Sequence, residues 1–295
     1  MRSARPLAVV LGGGGMLARE LRPALERGDL EARLVAREQC DITDPEAVRA
    51  CVEGARVVVN CAAFTQVDLA EKEREQAHAV NVGGAEIVAG AAVRSGAFLF
   101  HLSTDYVFDG KKGAPYDEHD PPAPLGVYAR SKWAGEQLVR AACAKAWIVR
   151  TGELYGTGGP HFFDKIFARA RSGHPVRVVS DQTGSPTWTR ELARQLVVLA
   201  QAATGGVAPP GVYHATAQGA VSFFDAARFA LEMAGIDAAV EPISTAELGS
   251  PTPRPSYSVL SHGALERLGL YCMRHWRDAL AEWIATRLDP PSAAS

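Results

Sequence analysis

Short apolar runs alternate along the first half of the chain with longer segments whose apolar residues recur at helical spacing. The short runs are apolar throughout, which is typical of strands buried on both faces of a parallel sheet. This alternation predicts a doubly wound (Rossmann) α/β fold. The predicted strands are Leu7–Leu11, Arg33–Ala36, Val57–Asn60, Phe98–Leu102 and Trp147–Arg150, and the predicted helices are Met16–Arg27, Pro45–Val52, Asn81–Arg94 and Val127–Cys143.

The pattern changes after about Thr151, where loops rich in Gly and Pro separate the helical segments Arg190–Ala203, Ser222–Ala234 and Trp276–Arg287. No clean linker or internal repeat divides the chain. We therefore predict a Rossmann domain over residues 1–150 and a smaller, partly interleaved C-terminal α/β lobe over residues 151–295, which would bind mainly the substrate.

The composition is that of an ordinary globular protein: of 295 residues 47% are hydrophobic, and the formal net charge is −2. Such a charge gives no indication of nucleic-acid or membrane binding. The five cysteines lack C-x-x-C spacing, which favours a reducing, cytoplasmic compartment, and the histidines lack metal-ligand spacing. Four consecutive glycines interrupt the apolar N-terminal run, so we expect neither a signal peptide nor a membrane span.

Glycines follow the first predicted strand directly, and Gly12, Gly15 and Ala18 fit G-x-x-G-x-x-A. Glycines let the backbone approach a pyrophosphate, and the following helix N-terminus supplies N–H donors. A plain strand–helix turn would also explain so loose a pattern, but its position in the fold favours a dinucleotide. Contacts are expected from Gly12, Gly15, Met16 and Leu17.

Arg37 follows the second predicted strand, where this fold places an acid for NAD or an arginine for the 2′-phosphate of NADP. Arg37 therefore favours NADP, and a solvated arginine is the alternative interpretation. Asp41, next to Ile42, would face the adenine or cap the following helix. Asp44 is the better cap, because it directly precedes Pro45 at the first helical position.

Two clusters carry candidate chemistry. The strand Phe98–Leu102 runs into Thr104 and Asp105, which could simply close a turn, but ligands of this fold lie at strand carboxyl ends. Tyr128 and Lys132 are four residues apart and would share a helix face. The ammonium would then lower the pKa of the phenol from its usual value of ~10. Such a pair is frequent by chance and by itself is a weak signal.

Together these pieces resemble the extended short-chain dehydrogenase/reductase superfamily. Finer motifs, from Leu7 to about Arg287, resemble the dTDP-4-dehydrorhamnose reductase family. "STDYVFDG" and "DQTGSPT" are fairly specific to this branch, whereas the Tyr/Lys pair marks only the superfamily. The other motifs are "VNCAAFTQVDLAEKE", "NVGGAEIVA", "PLGVYARSKWAGE" and "RPSYSVL".

The resemblance implies reduction of a nucleotide-linked 4-keto-6-deoxy sugar by NADPH, with NADH as an alternative, and in particular of dTDP-4-dehydro-L-rhamnose to dTDP-L-rhamnose. It implies that Thr104 reaches the substrate carbonyl, that Tyr128 is the general acid, and that Lys132 tunes Tyr128 and bonds the nicotinamide ribose. It also implies cofactor contacts from Ala62, Ala63, Phe64, Thr65 and Asn81, and substrate contacts from Val67, Asp105, Tyr106, Glu153 and, at the diphosphate, Arg254.

Glu153 is the main departure, because the family often has tryptophan in "RTSW" where this chain has "RTGE". The exact sugar is therefore open. Glu20 and Glu191 match acids near a metal-linked dimer contact in some members, but exposed helix carboxylates are the simpler interpretation. A reductase of another deoxy-sugar nucleotide and a non-catalytic regulatory subunit of the same fold are the alternatives, and a homodimer is compatible with the resemblance.

Overall fold

A computed structural model describes residues 5–288. The first residue of the predicted N-terminal domain, residue 1, and the last residue of the predicted C-terminal lobe, residue 295, therefore lie outside the described residues. The strands are β1 Leu7–Leu11, β2 Glu31–Val35, β3 Val57–Asn60, β4 Phe98–Thr104, β5 Ala146–Thr151, β6 Leu154–Tyr155, β7 Val176–Val179, β8 Thr183–Gly184, β9 Thr187–Trp188, β10 Gly211–His214, β11 Val221–Ser222 and β12 Val240–Ile243. The α-helices are α1 Met16–Arg27, α2 Pro45–Val52, α3 Val67–Ala70, α4 Arg74–His78, α5 Ala85–Ser95, α6 Val127–Ala142, α7 Phe162–Arg171, α8 Thr189–Thr204, α9 Phe223–Met233, α10 Thr245–Leu248, α11 Gly263–Arg267 and α12 Trp276–Leu288.

Six parallel strands form the central sheet in the order β10-β5-β4-β3-β1-β2. The predicted doubly wound parallel fold is confirmed. Strands β3 and β5 are buried at every position, as their uninterrupted apolar runs predicted. Strand β2 begins earlier and ends one residue sooner than predicted. It lies at the sheet edge, so exposed and half-buried positions alternate until the buried Val35, and its apolar signal is weak.

The predicted helix Asn81–Arg94 is a π-helical segment, Ala79–Gly84, that continues into α5. Helix α6 lies directly against this segment. A Cβ at Gly135 of α6 would lie 2.1 Å from the carbonyl oxygen of Asn81, so only glycine permits this approach. The contact holds Asn81 beside the helix that carries Tyr128 and Lys132.

The second half of the chain returns to the first. Strand β10 lies beside β5 in the central sheet, and α8 packs against α1. A separate apolar cluster around Trp188 and Trp283 joins α7, α9 and α12. The division at residue 150 remains a proposal for two interleaved units. In the part of the chain that the structure describes, no helix combines the length and apolarity that crossing a bilayer requires.

Candidate active site

The glycine turn lies at the carboxyl end of β1, where the strand order changes direction between β1 and β3. Gly12 has φ +79°, and a Cβ there would lie 2.8 Å from the backbone nitrogen of Ala62. Around Gly14 there is open space, and Gly15 begins α1 without any side-chain cap. The first N–H groups of α1 are therefore free for an anion, so the turn fits the pyrophosphate of a dinucleotide.

The other residues predicted at this turn differ in what they expose. Met16 is half-buried, whereas the side chain of Leu17 packs in the core beneath the sheet. Ile42 is also a core residue and lies against Gly84, where a Cβ would come within 2.7 Å of its side chain. Leu17 and Ile42 can therefore offer a cofactor only backbone groups.

Arg37 and Asp41 meet just beyond the end of β2. The Arg37 Nε lies 3.4 Å from the Asp41 carboxylate, and the arginine side chain is 68% exposed. Asp41 also accepts hydrogen bonds from the backbone and hydroxyl of Thr43, which lower its pKa. Asp44 caps α2 by accepting from the backbone nitrogens of residues 46 and 47, as predicted. The guanidinium is thus held loosely at the strand end, accessible to a 2′-phosphate.

Asn81 fixes the segment that follows β3. Its side-chain amide donates to the Phe64 carbonyl and accepts from the Phe64 nitrogen, at 3.1 and 2.8 Å. The same amide donates to the Ser131 hydroxyl of α6 at 2.9 Å. At the start of the segment, the Ala62 nitrogen donates to Asn60 at 3.2 Å. The segment runs along the glycine turn, with Ala62, Ala63 and Phe64 half-buried and Thr65 exposed.

Thr104, Tyr128 and Lys132 converge at the end of β4. The Thr104 hydroxyl donates to Asp105 at 3.1 Å and accepts from the next backbone turn, so the predicted turn is real and lies within the site. Burial raises the pKa of Tyr128 to about 12, with a hydrogen bond to Thr104 opposing the shift. Lys132 is buried and donates to the Leu102 carbonyl at 2.6 Å.

The net pKa shift of Tyr128 has the opposite direction to the one expected from Lys132. The pKa of Tyr128 rises rather than falls, because loss of water around the phenol dominates. The pKa of Lys132 is itself lowered to about 8 by burial, which Glu136 opposes. Helical spacing places the two groups on one face, but their desolvation arises only in the folded chain.

The buried ion pair between Glu136 and Arg150, close to Lys132, was not predicted from the sequence. Glu136 is fully buried one helical turn beyond Lys132, and Arg150 of β5 binds both of its carboxylate oxygens. Ser103 donates to the same carboxylate, and Arg150 also approaches His214 at 3.5 Å. The spacing of residues 128, 132 and 136 was the available signal, since all three share one face of α6.

Val67 and Tyr106, two of the expected substrate contacts, line a small cleft together with Tyr128 and residues of the Thr252–Pro255 loop. The rings of Tyr106 and Tyr128 meet edge to face, with centroids 6.2 Å apart. Arg254 enters from that loop and pairs with Asp68 at 2.9 Å. Asp68 was not predicted, because 186 residues separate it from its partner.

Glu153 is half-buried in the turn between β5 and β6, and its backbone is left-handed, with φ +51°. Its carboxylate lies against Gly184 of β8, where a Cβ would come within 1.7 Å of Oε1. Burial, and then the charge of Asp105, raises the pKa of Glu153 well above its usual range. Burial also raises the pKa of Asp105 to about 6, opposed by bonds from Ser258 and Thr104.

Comparison with known proteins agrees with this site. A family model described as the RmlD substrate binding domain matches residues 7–288. A dTDP-4-dehydrorhamnose reductase of Streptomyces griseus is 45% identical over 282 residues, covering 94% of this chain and 93% of that protein. The chain belongs to the dTDP-4-dehydrorhamnose reductase family. The resemblance inferred from the motifs is confirmed.

Other members of the dTDP-4-dehydrorhamnose reductase family and its relatives extend the comparison. The crystal structure of the Bacillus anthracis reductase in complex with NADP has a TM-score of 0.91 at 34% identity, covering 95% of this chain and 99% of that one. A dTDP-4-keto-6-deoxy-D-glucose reductase of Streptomyces niveus is 38% identical and covers 93% of this chain and 95% of that protein. Relatives at similar distances thus carry names that refer to different sugars.

The two acids that resemble a metal-linked contact in some family members have other partners here. Glu191 is buried rather than exposed, which corrects the simpler interpretation, and Arg274 binds its carboxylate at 2.8 Å. Glu20 lies 3.5 Å from Arg190. Within residues 5–288, no three His, Cys, Asp or Glu side chains cluster as metal ligands would.

Proposed function

We propose that this chain is an NADPH-dependent reductase of a nucleotide-linked 4-keto-6-deoxy sugar, with dTDP-4-dehydro-L-rhamnose as the first substrate to test and NADH as an alternative donor. The observation that carries the proposal is the convergence of Thr104, Tyr128 and Lys132 beside a turn that fits a dinucleotide. Membership of the dTDP-4-dehydrorhamnose reductase family supports it, as does the NADP bound to the Bacillus anthracis relative.

Cofactor binding is assigned to the elements around β1, β2 and β3. The free N–H groups after Gly12 would hold the pyrophosphate, and Arg37 would hold the 2′-phosphate as an exposed guanidinium. The segment fixed by Asn81 would run along the bound dinucleotide. The chemistry that NADPH supplies when bound is hydride transfer to the keto carbon.

Tyr128 would donate the proton to the developing alkoxide. With its pKa raised to about 12, the hydroxyl is protonated throughout the physiological range, as reduction requires. Lys132 would stabilise the phenolate that remains after the transfer, because an opposite charge favours the ionised phenol. The Thr104 hydroxyl, already in contact with Tyr128, would be the second hydroxyl at the substrate carbonyl.

The test mixes the purified chain with NADPH and dTDP-4-dehydro-L-rhamnose and follows NADPH absorbance, with the product identified by mass spectrometry and NMR. We expect NADPH oxidation matched by reduced sugar nucleotide. If no dTDP-linked 4-keto-6-deoxy sugar, including dTDP-4-keto-6-deoxy-D-glucose, is reduced, the proposal fails and the regulatory-subunit alternative is favoured.

The compartment and the oligomeric state of the protein belong to the same proposal. All five cysteines are free thiols, which agrees with a reducing, cytoplasmic compartment. A homodimer is a prediction from the resemblance, and light scattering coupled to gel filtration measures it. A mass of one chain at micromolar concentration would contradict it.

A further inference from the structure

Two successive turns of α6 bind the end of strand β4. Lys132 donates to the Leu102 carbonyl at 2.6 Å, and one turn later Glu136 accepts a hydrogen bond from the Ser103 hydroxyl. Leu102 and Ser103 are consecutive residues, and they directly precede Thr104, the hydroxyl proposed at the substrate carbonyl. Glu136 is therefore built into the same helix–strand contact that places the proposed proton-transfer groups.

The Glu136 carboxylate is held from two neighbouring strands. Besides the bond from Ser103, Arg150 of β5 donates from Nε at 3.0 and 3.3 Å and from Nη2 at 2.8 Å. Ser103 and Arg150 are opposite each other in the paired strands, so one carboxylate on α6 binds β4 and β5 at the same level. The side chain is 0% exposed. A carboxylate enclosed in this way can act on the reaction only through its neighbours.

The charge state of these neighbours makes Glu136 distinctive. Titratable or charged groups of this cluster come from four elements: Cys61 after β3, His101 on β4, Tyr128 and Glu136 on α6, and Arg150 on β5. Burial raises the pKa of Cys61 to about 12 and lowers the pKa of His101 well below its usual range, so both are neutral at pH 7. The Tyr128 phenol is protonated there as well. Within residues 5–288, Glu136 is the anion that this cluster offers to Lys132.

We propose that Glu136 is a positioning residue for the reduction and acts through Lys132, whose buried ammonium it keeps charged for the phenolate that Tyr128 becomes after donating its proton. This inference rests on the proposed reductase function. Burial by itself favours the neutral amine and lowers the pKa of Lys132 to about 8, and the Glu136 charge opposes that shift. A neutral lysine would offer the phenolate no countercharge, so the proton transfer would lose its electrostatic support.

The first experiment measures the protonation of Lys132 directly. The NMR signal of its side chain is followed against pH in protein made with isotope-labelled lysine, and is identified by its absence from Lys132→Met. We expect the parent to titrate at about pH 8. In Glu136→Gln, which keeps the shape but removes the charge, the midpoint should fall by at least ~1 pH unit. Glu86→Gln, the same change at an exposed position on α5, is the matched control and should keep the parent midpoint.

The second experiment measures the pH dependence of kcat with NADPH and dTDP-4-dehydro-L-rhamnose. Turnover should decline as the pH rises through the pKa of Lys132, because the countercharge is lost. In Glu136→Gln this decline should begin ~1 pH unit lower, while KM for the sugar stays close to the parent value, since the carboxylate is enclosed by the chain. A decline that stays in place while the NMR midpoint falls would contradict a role in the reaction.

Ser103→Ala separates charge from contact, because it removes one hydrogen bond and leaves the Glu136 charge paired with Arg150. Its Lys132 midpoint should stay near the parent value. An unchanged midpoint in Glu136→Gln, or an equal fall in Ser103→Ala, would overturn the inference. Should Glu136→Gln not fold, Glu136→Leu/Arg150→Met is titrated in its place, and a midpoint at or above the parent value would overturn it. Failure to reduce any sugar nucleotide would count against the proposed function, whereas the NMR titration would still decide whether Glu136 keeps Lys132 charged.

Discussion

The proposed cofactor side and the proposed substrate side of the site satisfy their polar groups in opposite ways. On the cofactor side, Asn81 makes three hydrogen bonds within the chain and Glu136 is neutralised by Arg150. On the substrate side, Glu153 combines a left-handed backbone with a carboxylate that has no donor among the described residues. Buried polar groups that are paired internally form a scaffold whether or not a ligand is bound. A group left unpaired at a strained position lowers stability, and such strain is concentrated at functional sites.

The largest effect on this comparison is expected from disrupting the ion pair between Glu136 and Arg150. Arg150→Met leaves the buried Glu136 carboxylate without its guanidinium partner, and should lower the free energy of unfolding by ~3–5 kcal/mol. Urea denaturation measures it. The double variant Glu136→Leu/Arg150→Met removes both charges and should regain most of the loss. Equal losses in the single and double variants would show that packing, rather than charge, holds this region.

The next largest effect is expected at the junction of the two sides. Tyr128→Phe removes the proposed proton donor and should lower kcat by ~10²-fold or more, while NADPH affinity and the melting temperature stay close to the parent values. Tyr106→Phe, which removes a second phenol from the same cleft, should cost less. Similar losses in the two variants would argue that both hydroxyls only bind substrate.

Cofactor choice gives a further test, because Arg37 is exposed and, within residues 5–288, is bound only to Asp41. Arg37→Asp should lower the ratio of kcat/KM for NADPH to that for NADH by ~10-fold, since a charge-assisted bond to the 2′-phosphate is lost. Arg33→Asp alters an exposed arginine within β2 and is the matched control. If both variants change the ratio equally, Arg37 is an ordinary solvated strand end.

The smallest effect should have the opposite sign, on the substrate side. Glu153→Gly removes both the left-handed strain and the desolvated carboxylate, so the free energy of unfolding should rise by about 0.5–1 kcal/mol despite the entropy of the added glycine. Glu153→Gln keeps the strain and separates the two contributions. A Glu153→Gly variant less stable than the parent would mean that the glutamate is part of the scaffold.

Local sequence determined much of the cofactor side. Helices Met16–Arg27 and Pro45–Val52 and strand Val57–Asn60 have the predicted bounds, because periodicity, caps and turn residues act over a few positions. Tyr128 and Lys132 were found for the same reason: helical spacing alone places them on one face. Asp44 at the cap of α2 is a further case.

Only the tertiary structure decided the rest. It places β10 in the central sheet, bends the chain into a π-helical segment at Asn81 and pairs Arg254 with Asp68. It also sets the conformation of Glu153, whose carboxylate lies against a glycine more than thirty residues away along the chain. These features depend on contacts between distant segments and on how much water each group loses. Neither quantity is present in the local pattern of residues, so the sequence by itself predicted a reductase scaffold, and the folded chain determined the environment that its substrate meets.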